Sequence, residues 1–132
     1  MATRMAKPAL DAGLVSSEAE ALLAFYRAVF GFTPLEPVHV PGLGVVHKLA
    51  CGRSVLRVLA PAAPPEPDGA ASWSARAGIR YLTLEVEDIA AAVAAVRAHG
   101  GRVELEPFEL RPGRQVAQVF DPDGNMLELG QG

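Results

Sequence analysis

The stretch Gln115–Leu129, QVAQVFDPDGNMLEL, decides the fold of this chain. Two runs of β-prone residues flank Asp121-Pro122-Asp123-Gly124, which has Asp at the first turn position, Pro at the second and Gly at the fourth. A type I turn prefers these residue types at these positions. The stretch therefore predicts a β-hairpin.

The register of this hairpin decides which way Glu128 points. If Phe120 pairs across the turn with Asn125, Ala117 lies opposite Glu128 on one side of the sheet. Glu128 stands between two leucines in the sequence. On the inner face of a curved sheet this carboxylate would be a site residue, whereas on the outer face it would only be solvated.

Length and composition limit the classes of function. The 132 residues suit one ordinary domain, and about half of them are apolar, which is enough to bury a core. The single cysteine, Cys51, excludes an internal disulfide. The net charge is −3 and the basic residues are scattered, which argues against a nucleic-acid partner. Because no apolar run is long enough for a signal peptide or a membrane span, we expect a soluble cytoplasmic protein without a membrane partner.

The first half of the chain has the pattern of one strand, one helix and three strands. Apolar residues at helical spacing follow a serine cap at Ser16 or Ser17, and Gly31 ends the helix. The strands are predicted near Leu10–Val15, Thr33–Val40, Gly44–Ala50 and Ser54–Leu59.

The second half repeats this order. Asp88 caps a helix that ends near Gly100-Gly101. Strands are predicted near Arg80–Val86, Arg102–Leu105, Gln115–Phe120 and Asn125–Leu129. Between the halves, the segment 60–78 is rich in Pro and Ala, and we interpret it as a spacer rather than a lid.

Matching landmarks recur at a nearly constant separation. Glu18 and Asp88 are 70 residues apart, as are Asp11 and Tyr81, and Arg57 and Glu128 are 71 apart. A constant separation indicates an internal repeat. We therefore predict an α+β fold of two tandem βαβββ modules, residues 1–59 and 79–132. Together they would form a curled mixed sheet that encloses a cleft, with the helices on the outside.

Three motifs resemble one known family. Phe25-Tyr26-Arg27 leads into Phe30-Gly31-Phe32, Leu84–Asp88 leads into an Ala/Val helix, and Asp121–Asn125 is followed by Leu127-Glu128-Leu129. In this order and at this spacing they look like the vicinal oxygen chelate superfamily, which includes glyoxalase I, bleomycin-resistance proteins and extradiol dioxygenases. The resemblance covers both modules and is more specific for fold than for chemistry.

The resemblance implies four inward positions that bind a divalent cation in metal-dependent members. They fall on Asp11, Arg57, Tyr81 and Glu128. Arg57 has no lone pair and is always charged, and Tyr81 is neutral near pH 7, so neither suits a cation. We therefore expect no metal and no cofactor, with a divalent metal as the alternative.

The same residues predict a polar pocket. Arg57 would lie between Asp11 and Glu128 and satisfy both carboxylates through forked hydrogen bonds. Thr83 and Glu85 share the face of Tyr81 because side chains alternate along a strand. The predicted ligand-binding residues are therefore Asp11, Arg57, Tyr81, Thr83, Glu85 and Glu128.

Five further residues favour structural interpretations. His99 suits a helix C-terminus, and His39 and His47 lack a second ligand at metal spacing. Cys51 lacks a neighbouring base and is interpreted as a packing residue. Trp73 is interpreted as an anchor that holds the connector to the sheet.

Two classes of function stay open. One is a metal-free pocket that binds a small organic molecule, as resistance-type members of the superfamily do. The other is an enzyme of the isomerase, lyase or dioxygenase kind. It would be either metal-dependent or metal-free, with Glu128 or Asp11 accepting a proton and Arg57 or Tyr81 stabilising an oxyanion. The resemblance also implies a homodimer.

Overall fold

Eight strands and two helices follow one another in the predicted order. The computed structural model describes the whole chain, Met1–Gly132. The first half contains β1 (Ala12–Val15), α1 (Ala19–Phe30), β2 (Thr33–Val40), β3 (Gly44–Cys51) and β4 (Ser54–Pro61). The second half contains β5 (Tyr81–Glu85), α2 (Ile89–Ala98), β6 (Arg102–Arg111), β7 (Arg114–Phe120) and β8 (Met126–Gln131).

Each half forms its own four-stranded mixed sheet. The strand order is β1-β4-β3-β2 in the first sheet and β5-β8-β7-β6 in the second. The outer pairs β1–β4 and β5–β8 are parallel, and the other pairs are antiparallel. The α+β fold of tandem βαβββ modules is therefore confirmed. Instead of the one curled sheet that was predicted, the chain has two separate sheets. Strands β1 and β5 are edge strands of their respective sheets.

The hairpin forms, but its predicted register is wrong by one residue. Phe120 pairs with Met126 rather than with Asn125, and Gln118 rather than Ala117 lies opposite Glu128. Asn125 belongs to the turn because its backbone N–H donates to the Asp121 side chain at 2.9 Å. The observed register keeps the apolar side chains of both strands together on one face, which the predicted register would not do.

The ends of several elements differ from the prediction, and the largest difference is in β6, which extends to Arg111 instead of ending near Leu105. The serine cap is wrong: Glu18 stands at the N-cap of α1 without a side-chain cap, and the Ser16 hydroxyl instead accepts from the Glu18 N–H at 2.9 Å. Strand β4 extends to Pro61 because Ala60 and Pro61 still pair with β3. The cap of α2 is as predicted, since Asp88 accepts from the Ala91 N–H at 3.0 Å.

Both halves contribute to one hydrophobic core. Helix α1 packs on β4 and on α2, while α2 packs on β6, β7 and β8. Burial of these apolar side chains is the main force that holds the halves together. The fully buried members are Ala19, Leu22, Phe25, Tyr26, Leu49, Leu56 and Val58 from the first half, and Ile89, Val93, Val96, Ala117, Val119, Leu127 and Leu129 from the second.

Gly101 lies where the two halves come closest. A Cβ atom at this position would be 2.6 Å from the Phe120 carbonyl oxygen and 2.9 Å from the Phe25 ring. Backbone oxygen cannot move away as a flexible side chain can, so only glycine fits here. The absence of a side chain lets the α1 aromatic residue reach the second sheet.

A buried hydrogen bond joins α1 to the hairpin turn. The Tyr26 hydroxyl donates to Asp121 Oδ2 at 2.7 Å, and the Asp121 residue is 2% exposed. The same carboxylate accepts from the Asp123 N–H, the Asn125 N–H and the Asn125 side-chain amide. Burial raises the pKa of Asp121 although all four donors oppose this shift. Burial also raises the pKa of Tyr26 far above its usual value, so the phenol stays a donor.

We expect a Tyr26→Phe variant to lose about 1–3 kcal/mol of unfolding free energy, because one oxygen of the buried Asp121 carboxylate loses its strongest donor. Urea unfolding monitored by circular dichroism measures this loss. Tyr81→Phe is the matched control, since Tyr81 is 49% exposed and should tolerate the change within about 0.5 kcal/mol. Equal stability of the two variants would contradict the role of this contact.

Candidate functional site

The first sheet presents a charged pair on the face turned away from the core. Arg57 lies between the buried Leu56 and Val58 in β4, so its side chain points to the opposite, open face. The Arg57 Nη1 donates to Asp11 Oδ2 at 2.8 Å. This pairing places two of the predicted site residues in direct contact.

Two more groups bind the Asp11 carboxylate. Its Oδ1 accepts from the Lys7 ammonium at 2.7 Å and from the Val55 N–H at 2.9 Å. The Lys7 ammonium, the Arg57 guanidinium and the Val55 N–H, in that order, hold the pKa of Asp11 well below its usual range. Asp11 is therefore ionised at neutral pH, and its oxygen atoms are already engaged.

Lys48 is a neighbour of this pair that the sequence analysis missed. It lies on β3 directly opposite Arg57 in the antiparallel register and so shares its face. With Lys7 on the other side of Asp11, the open face of the first sheet has a positive excess. The internal repeat could have revealed Lys48. It stands 70 residues before Gln118, which lies opposite Glu128 in the second module.

The second sheet presents the other four predicted residues on its open face. Tyr81, Thr83 and Glu85 alternate along β5, and Thr83 lies opposite Glu128 in the parallel pair β5–β8. The Thr83 hydroxyl donates to Glu128 Oε1 at 3.3 Å. Glu128 takes part in no salt bridge, which leaves its second oxygen free to accept.

Tyr81 lies beside the connector. Its ring meets the Trp73 ring edge-on, with centroids 5.5 Å apart. The Trp73 carbonyl also accepts from Arg80 Nε at 3.2 Å. Trp73 therefore anchors the connector to the sheet, as predicted.

Arg114 is the second residue that the sequence analysis missed. Its guanidinium forms a forked pair with Glu85, in which Nη2 donates to Oε2 at 2.9 Å and Nη1 donates to Oε1. This partner lowers the pKa of Glu85. The position of Arg114 at the start of β7 was not visible in the sequence, because its partner is 29 residues away.

The predicted cluster of Asp11, Arg57 and Glu128 does not form within the chain. Asp11 and Arg57 are bonded on the first sheet, while Glu128 bonds to Thr83 on the second. The two sheets are separate, so no strand pairing brings the carboxylate to the guanidinium. The Arg57 side chain is also 44% exposed rather than buried. The cluster prediction is wrong within one chain, because Arg57 and Glu128 lie on different sheets and share no bond.

The residues at the four metal positions do not fit a divalent cation. Asp11 already binds two cationic side chains, Arg57 offers no lone pair, and Tyr81 is a poor ligand in its neutral form. Only Glu128 is a suitable donor. No group of three or more His, Cys, Asp or Glu side chains in the chain is arranged to hold an ion.

The remaining candidates lie away from these faces. His47 lines a depression of about 140 Å³ between α1 and strands β2 and β3, together with Leu23 and Arg27. None of the six predicted ligand-binding residues lines it. Cys51 is a free, half-buried thiol at the end of β3. No helix is long and apolar enough to cross a membrane.

Two βαβββ units on one core, with polar side chains on both open faces, define the class of this protein. A family model described as the glyoxalase/bleomycin resistance protein/dioxygenase superfamily matches residues 10–129. The chain belongs to this superfamily. The match includes every helix and nearly every strand residue.

Individual relatives support the fold. A glyoxalase family protein from Bacillus cereus has a TM-score of 0.81 at 17% identity, covering 97% of this chain and 98% of that one. A lactoylglutathione lyase from Agrobacterium tumefaciens has a TM-score of 0.62 at 22% identity, covering 97% and 96%. An Arabidopsis thaliana lactoylglutathione lyase is 38% identical over 64 residues, which is 48% of this chain but only 23% of that protein.

We expect an Arg57→Met variant to raise the pKa of Asp11 while leaving it below the usual value of 3.8, because Lys7 and the Val55 N–H remain. Lys7→Met should raise it further. A carboxyl group whose pKa is depressed in the folded state stabilises the fold at pH values above its unfolded-state pKa. This stabilisation is lost as the pH falls through the folded-state pKa, so the unfolding free energy of both variants should depend less on pH in the acid range. Carboxyl ¹³C NMR titration measures the pKa.

Arg53→Met is the control, because Arg53 lies in the turn between β3 and β4 and has no bond to Asp11. An Asp11 pKa that is the same in Arg57→Met and in the unaltered protein would contradict the ion pair.

Proposed function

We propose that this chain binds a small organic molecule on the open sheet faces, through Asp11, Arg57, Tyr81, Thr83, Glu85 and Glu128, without a resident metal. The single observation that supports this most is the 2.8 Å bond from Arg57 to Asp11 at positions where metal-dependent relatives place ligands. A fixed positive group there takes the electrostatic place of an ion and leaves donors for a ligand.

The two faces offer different chemistry to a ligand. Arg57 and Lys48 on the first sheet supply donors and positive charge. Glu128 and Thr83 on the second supply an acceptor and a hydroxyl, next to the Trp73–Tyr81 aromatic pair. Such a combination favours a polar molecule with an apolar or aromatic part.

Catalysis is the second candidate function, and one observation favours it. Glu128 is the one carboxylate of the predicted site that forms no ion pair, so it is available as a proton acceptor. Arg57 or Tyr81 would then stabilise an oxyanion. The names of the plant and Agrobacterium relatives point towards an isomerase or lyase reaction, but the donor set argues against the metal-dependent form of it.

The test begins with a thermal-shift screen of small polar and aromatic metabolites on metal-analysed protein. A ligand should raise the melting temperature of the unaltered protein, and Arg57→Met should reduce its affinity by about tenfold or more, because a charge-assisted hydrogen bond is lost. Arg53→Met is the control and should bind normally. Mass spectrometry of the ligand after prolonged incubation separates binding, with no change, from catalysis.

A stoichiometric divalent ion in the purified protein, whose removal abolishes the thermal shift, would overturn the metal-free site. A ligand that binds Arg57→Met as tightly as the unaltered protein would overturn the placement of the site.

We also propose that two copies of the chain pair, so that the first sheet of one faces the second sheet of the other. Strands β1 and β5 are edge strands, and each pairs with a neighbour on one side only. The open faces also expose large apolar residues such as Val15, Leu35 and Leu105. The positive face around Arg57 complements the unpaired Glu128. In this arrangement the predicted acid–base–acid cluster is completed by two copies.

Sedimentation velocity tests the pairing. The unaltered protein should be a dimer, and either Arg57→Glu or Glu128→Arg should weaken association by about tenfold or more, since each brings like charges together. The double variant should restore it. A monomer at all concentrations, or no recovery in the double variant, would exclude this dimer.

A further inference from the structure

The Arg114 side chain lies on the open face of the second sheet and is less exposed to solvent than any other ion-paired basic side chain. Its side chain is 16% exposed, whereas those of the other lysines and arginines in salt bridges are 22% exposed or more. A guanidinium that is mostly shielded from water and fixed in direction is suited to recognising a planar anion.

The close fit depends on Gly130. A Cβ atom at this position would lie 2.7 Å from Arg114 Cζ and 2.5 Å from Glu85 Oε2, so the ion pair rests directly on the β8 backbone. The backbone of Gly130 does not have a positive φ, so this glycine contributes space for the ion pair and not a special conformation. Any side chain would push the guanidinium away from the sheet.

The partner of Arg114 is held much less firmly. The Glu85 side chain is 61% exposed and projects from the last residue of the edge strand β5. Its carboxylate accepts hydrogen bonds from both terminal nitrogens of the guanidinium. An exposed carboxylate on a flexible side chain gives up little packing when it turns into solvent. A ligand carboxylate could therefore replace it without disturbing the sheet.

We propose that Arg114 is a carboxylate-binding subsite, which Glu85 occupies until the carboxylate of a small organic acid displaces it. This inference rests on the proposed function, because it names the chemical class of the ligand that the open face binds. It also changes the role of Glu85 from a ligand contact to an internal competitor.

Glu128 offers a second contact beside Arg114. Glu128 is two residues before Gly130 on β8 and presents a free acceptor on the same face, roughly 6–7 Å along the strand. A ligand bound at Arg114 that also carries a hydrogen-bond donor would satisfy this acceptor. The ligand class is an organic acid, and a hydroxyl or amino group would add a bond to Glu128 beyond the carboxylate contact that benzoate tests.

The test uses benzoate as the probe and neutral benzamide as its matched analogue, with the Arg114 Nε–H signal followed by ¹⁵N NMR. Benzoate should shift this signal in the unaltered protein, and benzamide should not. Glu85→Gln should tighten benzoate binding by about tenfold, because the competing carboxylate is gone and the free guanidinium becomes the dominant state. Arg114→Met should abolish binding, and Gly130→Ala should weaken it.

Arg97→Met is the control, because Arg97 lies on α2, on the other side of the second sheet, and pairs with Glu106, so its removal should leave benzoate binding unchanged. Since Glu85→Gln is expected to gain affinity, a folding defect cannot imitate the result. Unchanged affinity in Glu85→Gln, or benzoate binding to Arg114→Met, overturns the subsite. A metabolite that requires Arg57 but binds Arg114→Met normally would overturn the subsite alone and leave the proposed function standing.

Discussion

The hydrogen bond from Tyr26 to Asp121 is the constraint on which the arrangement of the two halves depends. It is buried and joins residues 95 positions apart, so it links the helix of the first module to the hairpin turn of the second. The same carboxylate shapes the turn by accepting two backbone N–H groups. Because the turn connects β7 and β8, the Asp121 carboxylate joins the turn that sets their register to the helix of the other module.

The repeat conserves the backbone and changes the chemistry of the open faces. Arg57 lies opposite Gly13 in the first module, and Glu128 lies opposite Thr83 in the second, at equivalent positions. The core residues on the other face are apolar in both modules. A shared core requires apolar side chains at every core-facing position, whereas the side chains on the open face are free to vary. The two modules therefore contribute a positive and a negative face to one protein.

The charged groups explain why family membership does not by itself establish the chemistry. Arg57 stands at a position that the resemblance assigns to a metal ligand, and its bond to Asp11 uses an oxygen that a cation would need. On the second sheet, the Arg114 guanidinium lies on Gly130 and pairs with the exposed Glu85 carboxylate. Both faces therefore present ion-paired side chains rather than a set of metal ligands.

The sequence by itself determined the two βαβββ units, the Asp88 cap and the hairpin, because hydrophobic period, caps and turn residues act over a few neighbouring positions. The resemblance also placed Asp11 and Arg57 at neighbouring positions, and the two side chains are in contact. Only the tertiary structure decided the hairpin register, the separation of Arg57 from Glu128, and the pairing of Arg114 with Glu85. These depend on contacts between residues far apart in the chain, whose geometry is set by how the core packs and not by local pattern.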